Sequence, residues 1–165
     1  MTQALSRIIE RAHGWMARVP HDLIAWLARI GIATVFWQSG QTKIEGFVLN
    51  LATGDFVWGW PHLADSAIAL FAEEYRLPWL PPQWAAAMAA SAEHVLPVLL
   101  VLGLATRWAA LGLLGMTLVI QLFVYPDAFG VHSLWSASLL LLVRDGAGRY
   151  SLDAYIRAWS SKPAH

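Results

Sequence analysis

Four apolar runs separated by polar breaks dominate the hydrophobic pattern of this chain. The first, Leu23 to Gly40 (LIAWLARIGIATVFWQSG), contains one charge, Arg29. The second, Trp84 to Ala105, is rich in Ala and Leu and is interrupted by Glu93, His94 and Pro97. The third, Trp108 to Tyr125, is almost purely apolar, with Thr106 and Arg107 marking the turn before it, and the fourth covers Phe129 to Val143. At about 1.5 Å per residue the first three approach or exceed the length needed to cross a hydrocarbon core of about 30 Å, while the fourth needs extension at its ends. The pattern predicts an all-α fold, a four-transmembrane-helix bundle in a single membrane domain over 1–165, with spans at 23–40, 84–105, 108–125 and 129–143.

The connecting segments carry weaker patterns. Over residues 1–20, Leu5, Ile8, Ile9, Ala12, Trp15 and Met16 recur at helical spacing opposite the arginines, as in a helix lying on a membrane surface. No continuous apolar core of a secretory signal is present there. In the loop 41–83, Ala64, Ile68, Phe71 and Tyr75 predict a short amphipathic helix across the bundle mouth, ended by Pro78, Pro81 and Pro82. In the tail 144–165, Gly146 and Gly148 suggest a turn rather than a phosphate loop, because no strand precedes them. Ser151 is placed to cap a last helix, with Asp153 near its positive end and a stripe of Leu152, Tyr155, Ile156 and Trp159.

Four spans leave Arg7, Arg11, Arg18, Arg107, Arg144, Arg149, Arg157 and Lys162 on one side and only Lys43 and Arg76 on the other. Because cytoplasmic segments carry the basic excess, both termini are expected in the cytoplasm.

Composition agrees with a membrane location. Hydrophobic residues make up 58% of the chain and charged ones 13%, about half the share in a soluble domain. Ten Trp residues suit membrane interfaces. The scattered basic residues and zero net charge form no face for nucleic acid. The absence of cysteine excludes disulfides, thiolate metal sites and thiol nucleophiles.

Candidate chemistry lies inside the spans. An arginine within a spanning helix must find a partner, and Glu93 is the lone acid in any predicted span. Counted from Gly40 and Trp84, Arg29 and Glu93 lie at depths of about 17 and 14 Å, which predicts an intramembrane Arg29–Glu93 ion pair. Such a pair either fixes helix register or serves a ligand pocket. Gln38, His94, Gln121 and His132 fall in the same half of the bilayer, Lys43 at the mouth is a candidate headgroup or anion contact, and Trp37 belongs to an aromatic lining suited to a quinone ring. A metal site from His94, His132 and Glu93 is the weaker alternative, since no HxxxH or HxxE spacing supports it. Ala85, Ala86, Ala89, Ala90 and Ala92, with Gly112 and Gly115, are expected to permit close helix packing.

Ala28-Arg29, Phe36-Trp-Gln-Ser-Gly-Gln-Thr-Lys43, Glu93 before a Leu-rich run, Leu102-Gly-Leu-Ala-Thr-Arg107 and the stretch Gly146 to Asp153 together resemble the DoxX family of small four-helix membrane proteins. The resemblance runs from about residue 22 to 156. It implies Arg29 and Glu93 as family positions and a redox context: a membrane subunit working with quinone, with a soluble redox or metal-handling partner, in the inner membrane of a bacterium. The loop from Asn50 to Pro82 looks typical of a proteobacterial subgroup. Three functions follow as expectations: a quinone-interacting redox subunit, a non-catalytic anchor or assembly protein that recruits a soluble partner, and a small-solute or metal transporter. Self-association is compatible with each.

Overall fold

The computed structural model describes residues 9–10, 13–50 and 53–161, which are mostly helical. A long helix α1 (His21–Gln41) is followed by four short strands, β1 (Ile44–Glu45), β2 (Val48–Asn50), β3 (Asp55–Val57) and β4 (His62–Leu63). Helix α2 (Asp65–Leu70) widens into a π turn at Phe71–Tyr75. Then come α3 (Pro82–Leu102), α4 (Thr106–Val119) with a second π turn at Ile120–Val124, a 3-10 turn at Pro126–Ala128, α5 (Phe129–Asp145) and α6 (Leu152–Ser160). Of the surface helix expected over 1–20, residues 9–10 and 13–16 are helical, and 1–8 and 11–12 lie outside the described residues.

α1 packs chiefly on α3 and α4 on α5, and contacts of α3 with α4 and of α1 with α5 close the ring. The core between them is Ala25, Ile32, Phe36, Leu100, Leu113, Leu139 and Leu142. The opposite faces stay apolar yet exposed, as Val95, Val98, Leu111, Leu118, Leu134 and Leu140 show. That is the arrangement a hydrocarbon solvent requires. Among the described residues three helices, Pro82–Leu102, Thr106–Val124 and Pro126–Asp145, are long and apolar enough to cross a membrane. α1 matches α3 in length but carries Asp22, Arg29, Gln38, Ser39 and Gln41, which dilute its apolar character.

The break between α3 and α4 lies three residues earlier than the sequence pattern suggests. Gly103 adopts φ 65°, its amide bonds Leu100 O, and the Leu104 amide bonds Leu99 O. This is a Schellman end, which glycine favours because it has no Cβ to oppose the left-handed conformation. Ala105 also has positive φ (46°), and Thr106 already belongs to α4. Pro82 opens α3, where its missing N–H removes no helical bond.

The loop contains strands that the sequence reading did not anticipate. β1 pairs antiparallel with β4 through Ile44↔Leu63 and Glu45↔His62, and β2 pairs with β3 through Val48↔Val57, Leu49↔Phe56 and Asn50↔Asp55. Strands of two or three residues are too short to show period-two alternation. The short helix is present, with Ala64, Ala67 and Phe71 buried against Ala85 and Ala86 of α3.

α1 and α3 are staggered. A Cβ placed on Gly40, one residue from the end of α1, would lie 3.0 Å from the Glu93 Cβ. Glu93 is eleven residues into α3 from Pro82, so α3 runs on by about 16 Å past the end of α1. Leu63, Ala67, Phe71, Tyr75 and Leu80 pack at the level of Ala85, Ala86 and Ala89, where α1 has ended, whereas Leu49 and Asn50 lie back alongside α1 near Trp37 and Pro97.

Candidate functional site

The two ionisable residues expected to pair are held apart, each with its own partners. Among the described residues no Arg29–Glu93 ion pair forms. The Arg29 guanidinium donates through Nε to Leu100 O at 2.6 Å, through NH2 to Val101 O at 2.6 Å, and through NH1 to Ala147 O and Tyr150 O, both at 3.0 Å. Carbonyls at a helix C-terminus lack intrahelical donors and carry the negative end of the helix dipole, so a buried cation is satisfied there without a carboxylate. The expectation counted only side-chain anions. It also set the outer ends of α1 and α3 level, and the stagger removes that premise.

Arg29 thus clamps the end of α3 to the loop 146–150. Asp153 completes the junction: its carboxylate accepts from the Ala105 amide at 2.8 Å and the Thr106 amide at 3.0 Å, and its own amide donates to Gly103 O at 2.8 Å. Burial works against the charged form, but these amides outweigh it and hold the Asp153 carboxyl below its ordinary range. Ser151 caps α6 by accepting from the Ala154 amide, as its position suggests.

Glu93 instead meets Lys43. Lys43 Nζ lies 2.7 Å from Glu93 Oε2, with the two side chains 4% and 3% exposed. Ser39 links them, donating its Oγ–H to Glu93 Oε1 at 3.1 Å and accepting from Lys43 Nζ at 2.9 Å. Sequence reasoning placed Lys43 at the mouth as a headgroup contact. The chain turns back after Gln41 and carries its ammonium into the bundle.

Glu93 and Ser39, with Lys43 behind them, border a cavity of about 420 Å³ at the level where α1 ends and α3 and α4 continue. Its walls include Phe36, Ser39, Glu93, Gly115, His132 and Trp135, and Phe71, Tyr75 and Tyr125 lie at its loop side. Tyr75 packs on Phe71 with centroids 4.5 Å apart and meets Tyr125 edge-on at 6.4 Å. Burial, aided by Tyr125, pushes the Tyr75 phenol up to about 12, so it stays neutral at physiological pH. Both tyrosines sit in or just after a π turn, whose wider backbone re-aims side chains.

His132 is buried and bonded through Nδ1 to Gln121 Oε1 at 2.7 Å, and Gln121 Nε2 donates to Pro126 O at 2.6 Å. Gln121 therefore acts at second hand, by fixing the imidazole. His94, next to Glu93 in sequence, is engaged elsewhere: Nδ1 bonds Ala90 O at 2.7 Å and Nε2 bonds the Gln41 amide at 2.9 Å. Trp37 packs edge-on against the His94 ring and donates to Leu49 O. Together with Gln38 it lines a different, smaller hollow of about 300 Å³ beside Pro97.

Of the eight residues singled out in the sequence, the structure brings Glu93, Lys43, His132 and Gln121 to the cavity wall or directly behind it. Arg29 lies at the α3–α4 junction, and Trp37, Gln38 and His94 belong to other surroundings. Among the described residues no three His, Asp or Glu side chains converge as metal ligands, so the trio of His94, His132 and Glu93 is not assembled. Ser39, Tyr75 and Tyr125 escaped sequence reasoning. Their one signal was a hydroxyl in an otherwise apolar helix or next to a proline-rich break.

Together these groups make an apolar chamber with a few converging polar atoms, the usual make-up of a small-molecule site. The profile of the DoxX family matches residues 24–126, from α1 to the end of the 3-10 turn's first residue. No curated protein and no solved structure matches the chain. The family match covers more than half of the sequence, and with three helices apolar enough to span a bilayer it identifies this protein as a membrane protein of the DoxX family.

Proposed function

We propose that the protein is a four-span subunit of a bacterial inner-membrane redox system, and that its cavity binds a small lipid-soluble ring of the quinone type. The observation that carries this reading is a chamber of about 420 Å³ with aromatic walls and a buried Lys43–Glu93 pair at its edge. Its volume lies within the range of small-molecule sites, and a ligand with an apolar body and one or two polar atoms matches such a lining. The bilayer is the source of such ligands.

In this reading α1 is the fourth span. Its buried charge is matched inside the protein, which lowers the barrier to placing Arg29 in the membrane. The basic excess on one side supports the same reading, with both termini in the cytoplasm. α6 then lies along the cytoplasmic face, with Leu152, Tyr155, Ile156 and Trp159 exposed towards lipid. A chain without cysteine performs no thiol chemistry of its own, and in this reading a soluble redox partner supplies the electron donor. That exposed stripe equally favours a second reading, an anchor that gathers a soluble partner without binding a ligand.

The test is equilibrium dialysis of the purified protein against a tail-less dimethoxy-methyl-benzoquinone and its hydroquinone. Saturable binding of at least one form, abolished by Gly115→Leu, is expected, because nothing lies within 4 Å of a Cβ at Gly115 and a larger side chain would fill the chamber. Absence of binding in both redox forms would leave the anchor reading.

A further inference from the structure

Resting on the reading of the cavity as a ring-binding site, we infer that it selects a ligand presenting hydroxyl donors, a hydroquinone, over the corresponding quinone, whose ring oxygens only accept. Pro126 O is a carbonyl and accepts only, so the Gln121 group 2.6 Å from it is the NH2. Gln121 Oε1 therefore faces His132 and accepts, which places the proton of the neutral imidazole on Nδ1 at 2.7 Å. His132 Nε2 is left as a bare acceptor, with no partner among the described residues, on a ring that lines the cavity.

The other fixed polar groups of this wall have spent their donors in the same way. The Ser39 hydroxyl gives its proton to Glu93, and Lys43 directs its ammonium to Glu93 and to Ser39 O and Oγ. What remains open on Ser39 and Glu93 is lone pairs. The hydroxyls of Tyr75 and Tyr125 rotate to donate or accept and do not discriminate, and Trp135 brings a single indole N–H. A hydroquinone can give O–H to His132 Nε2 or to Glu93. A quinone carbonyl placed there meets a lone pair and leaves buried acceptors unmatched, a mismatch that weakens binding by about tenfold.

The experiment measures dissociation constants for the dimethoxy-methyl-benzoquinone and hydroquinone pair, which share one ring shape, by equilibrium dialysis of the full chain in detergent. The hydroquinone is expected to bind about tenfold or more tightly. His132→Phe should remove the preference while keeping residual binding of both. Gln121→Lys provides the sharper check, since an ammonium donating to Nδ1 forces the imidazole proton onto Nε2 and should raise quinone affinity relative to hydroquinone. A merely structural His132 would lose both affinities together in that variant. Equal affinities in the unaltered protein overturn the selectivity while the ring-binding reading stands. Failure of both forms to bind, or binding that Gly115→Leu leaves untouched, overturns the ring-binding reading and the inference with it.

Discussion

Lys43 and Glu93 form a 2.7 Å ion pair that is nearly sealed from solvent, although one residue follows the end of α1 and the other lies in the middle of α3. The pair ties the first turn after α1 to α3 at the level where the stagger begins. It therefore holds the offset that leaves room for the cavity.

Removing one partner strands the other as a buried charge. Lys43→Met and Glu93→Leu should each destabilise by about 3–5 kcal/mol, whereas the double variant should lose clearly less than the sum, since two apolar side chains need no counter-ion. Thermal unfolding of the four proteins in one detergent reads the coupling directly. Additive losses would mean that the ion pair is not the interaction being broken.

Arg29 makes the opposite prediction about function. Its four bonds all go to carbonyls at the α3–α4 junction and the 146–150 loop, and it does not line the cavity. Arg29→Ala should lower stability by about 3 kcal/mol or more, because the carbonyls it joins lose charge-assisted donors. Arg29→Lys should recover only part of this, as an ammonium cannot reproduce the planar fork. Ligand affinity of the folded fraction should be unchanged in both, and a large loss of affinity in well-folded Arg29→Lys protein would contradict the junction role.

Asp153 gives a pH dependence with a definite sign. Its carboxyl is held below the ordinary value of 3.8, so the folded state favours the charged form. The resulting stability is present above the unfolded value and is lost as pH falls through the lower folded value. Between pH 6 and pH 3 the melting temperature should therefore fall, and Asp153→Asn should be less stable at pH 6 with a shallower acid slope. Parallel slopes for the two proteins would remove Asp153 from the account.

The legibility of this fold follows from what a sequence can display. The long helices were visible because their apolar runs exceed ten residues, and Ser151 was visible because an N-cap is a local feature. The true partner of Arg29 was not, since backbone carbonyls have no letter in a sequence and which of them lie open depends on Gly103 ending α3. Lys43 was misjudged for a related reason. The turn after Gln41 decides whether its ammonium points to headgroups or into the bundle, and the residues 42–47 give no periodic signal. Glu93 and His132 were recognisable as costly residues in apolar spans, while the cavity between them arises from the stagger, which no count within a single helix reveals.

Two glycines inside helices should respond to alanine in opposite directions. A Cβ at Gly40 would come 2.8 Å from the His94 ring and 3.0 Å from the Glu93 Cβ. His94 is fixed by bonds to Ala90 O and Gln41 and cannot yield cheaply, so Gly40→Ala should force α1 away from α3 and destabilise by about 1–3 kcal/mol. Gly115 has nothing within 4 Å of that position and belongs to α4, where alanine is the better helix former by about 1 kcal/mol. Gly115→Ala should accordingly be neutral or stabilising, with ligand affinity reduced only as far as one methyl narrows the chamber. Melting temperatures of the two variants, measured side by side, should fall on opposite sides of the unaltered protein or close to it for Gly115→Ala. A loss at Gly115 as large as that at Gly40 would show that α4 has a close neighbour there, and the cavity would have to be redrawn without that wall.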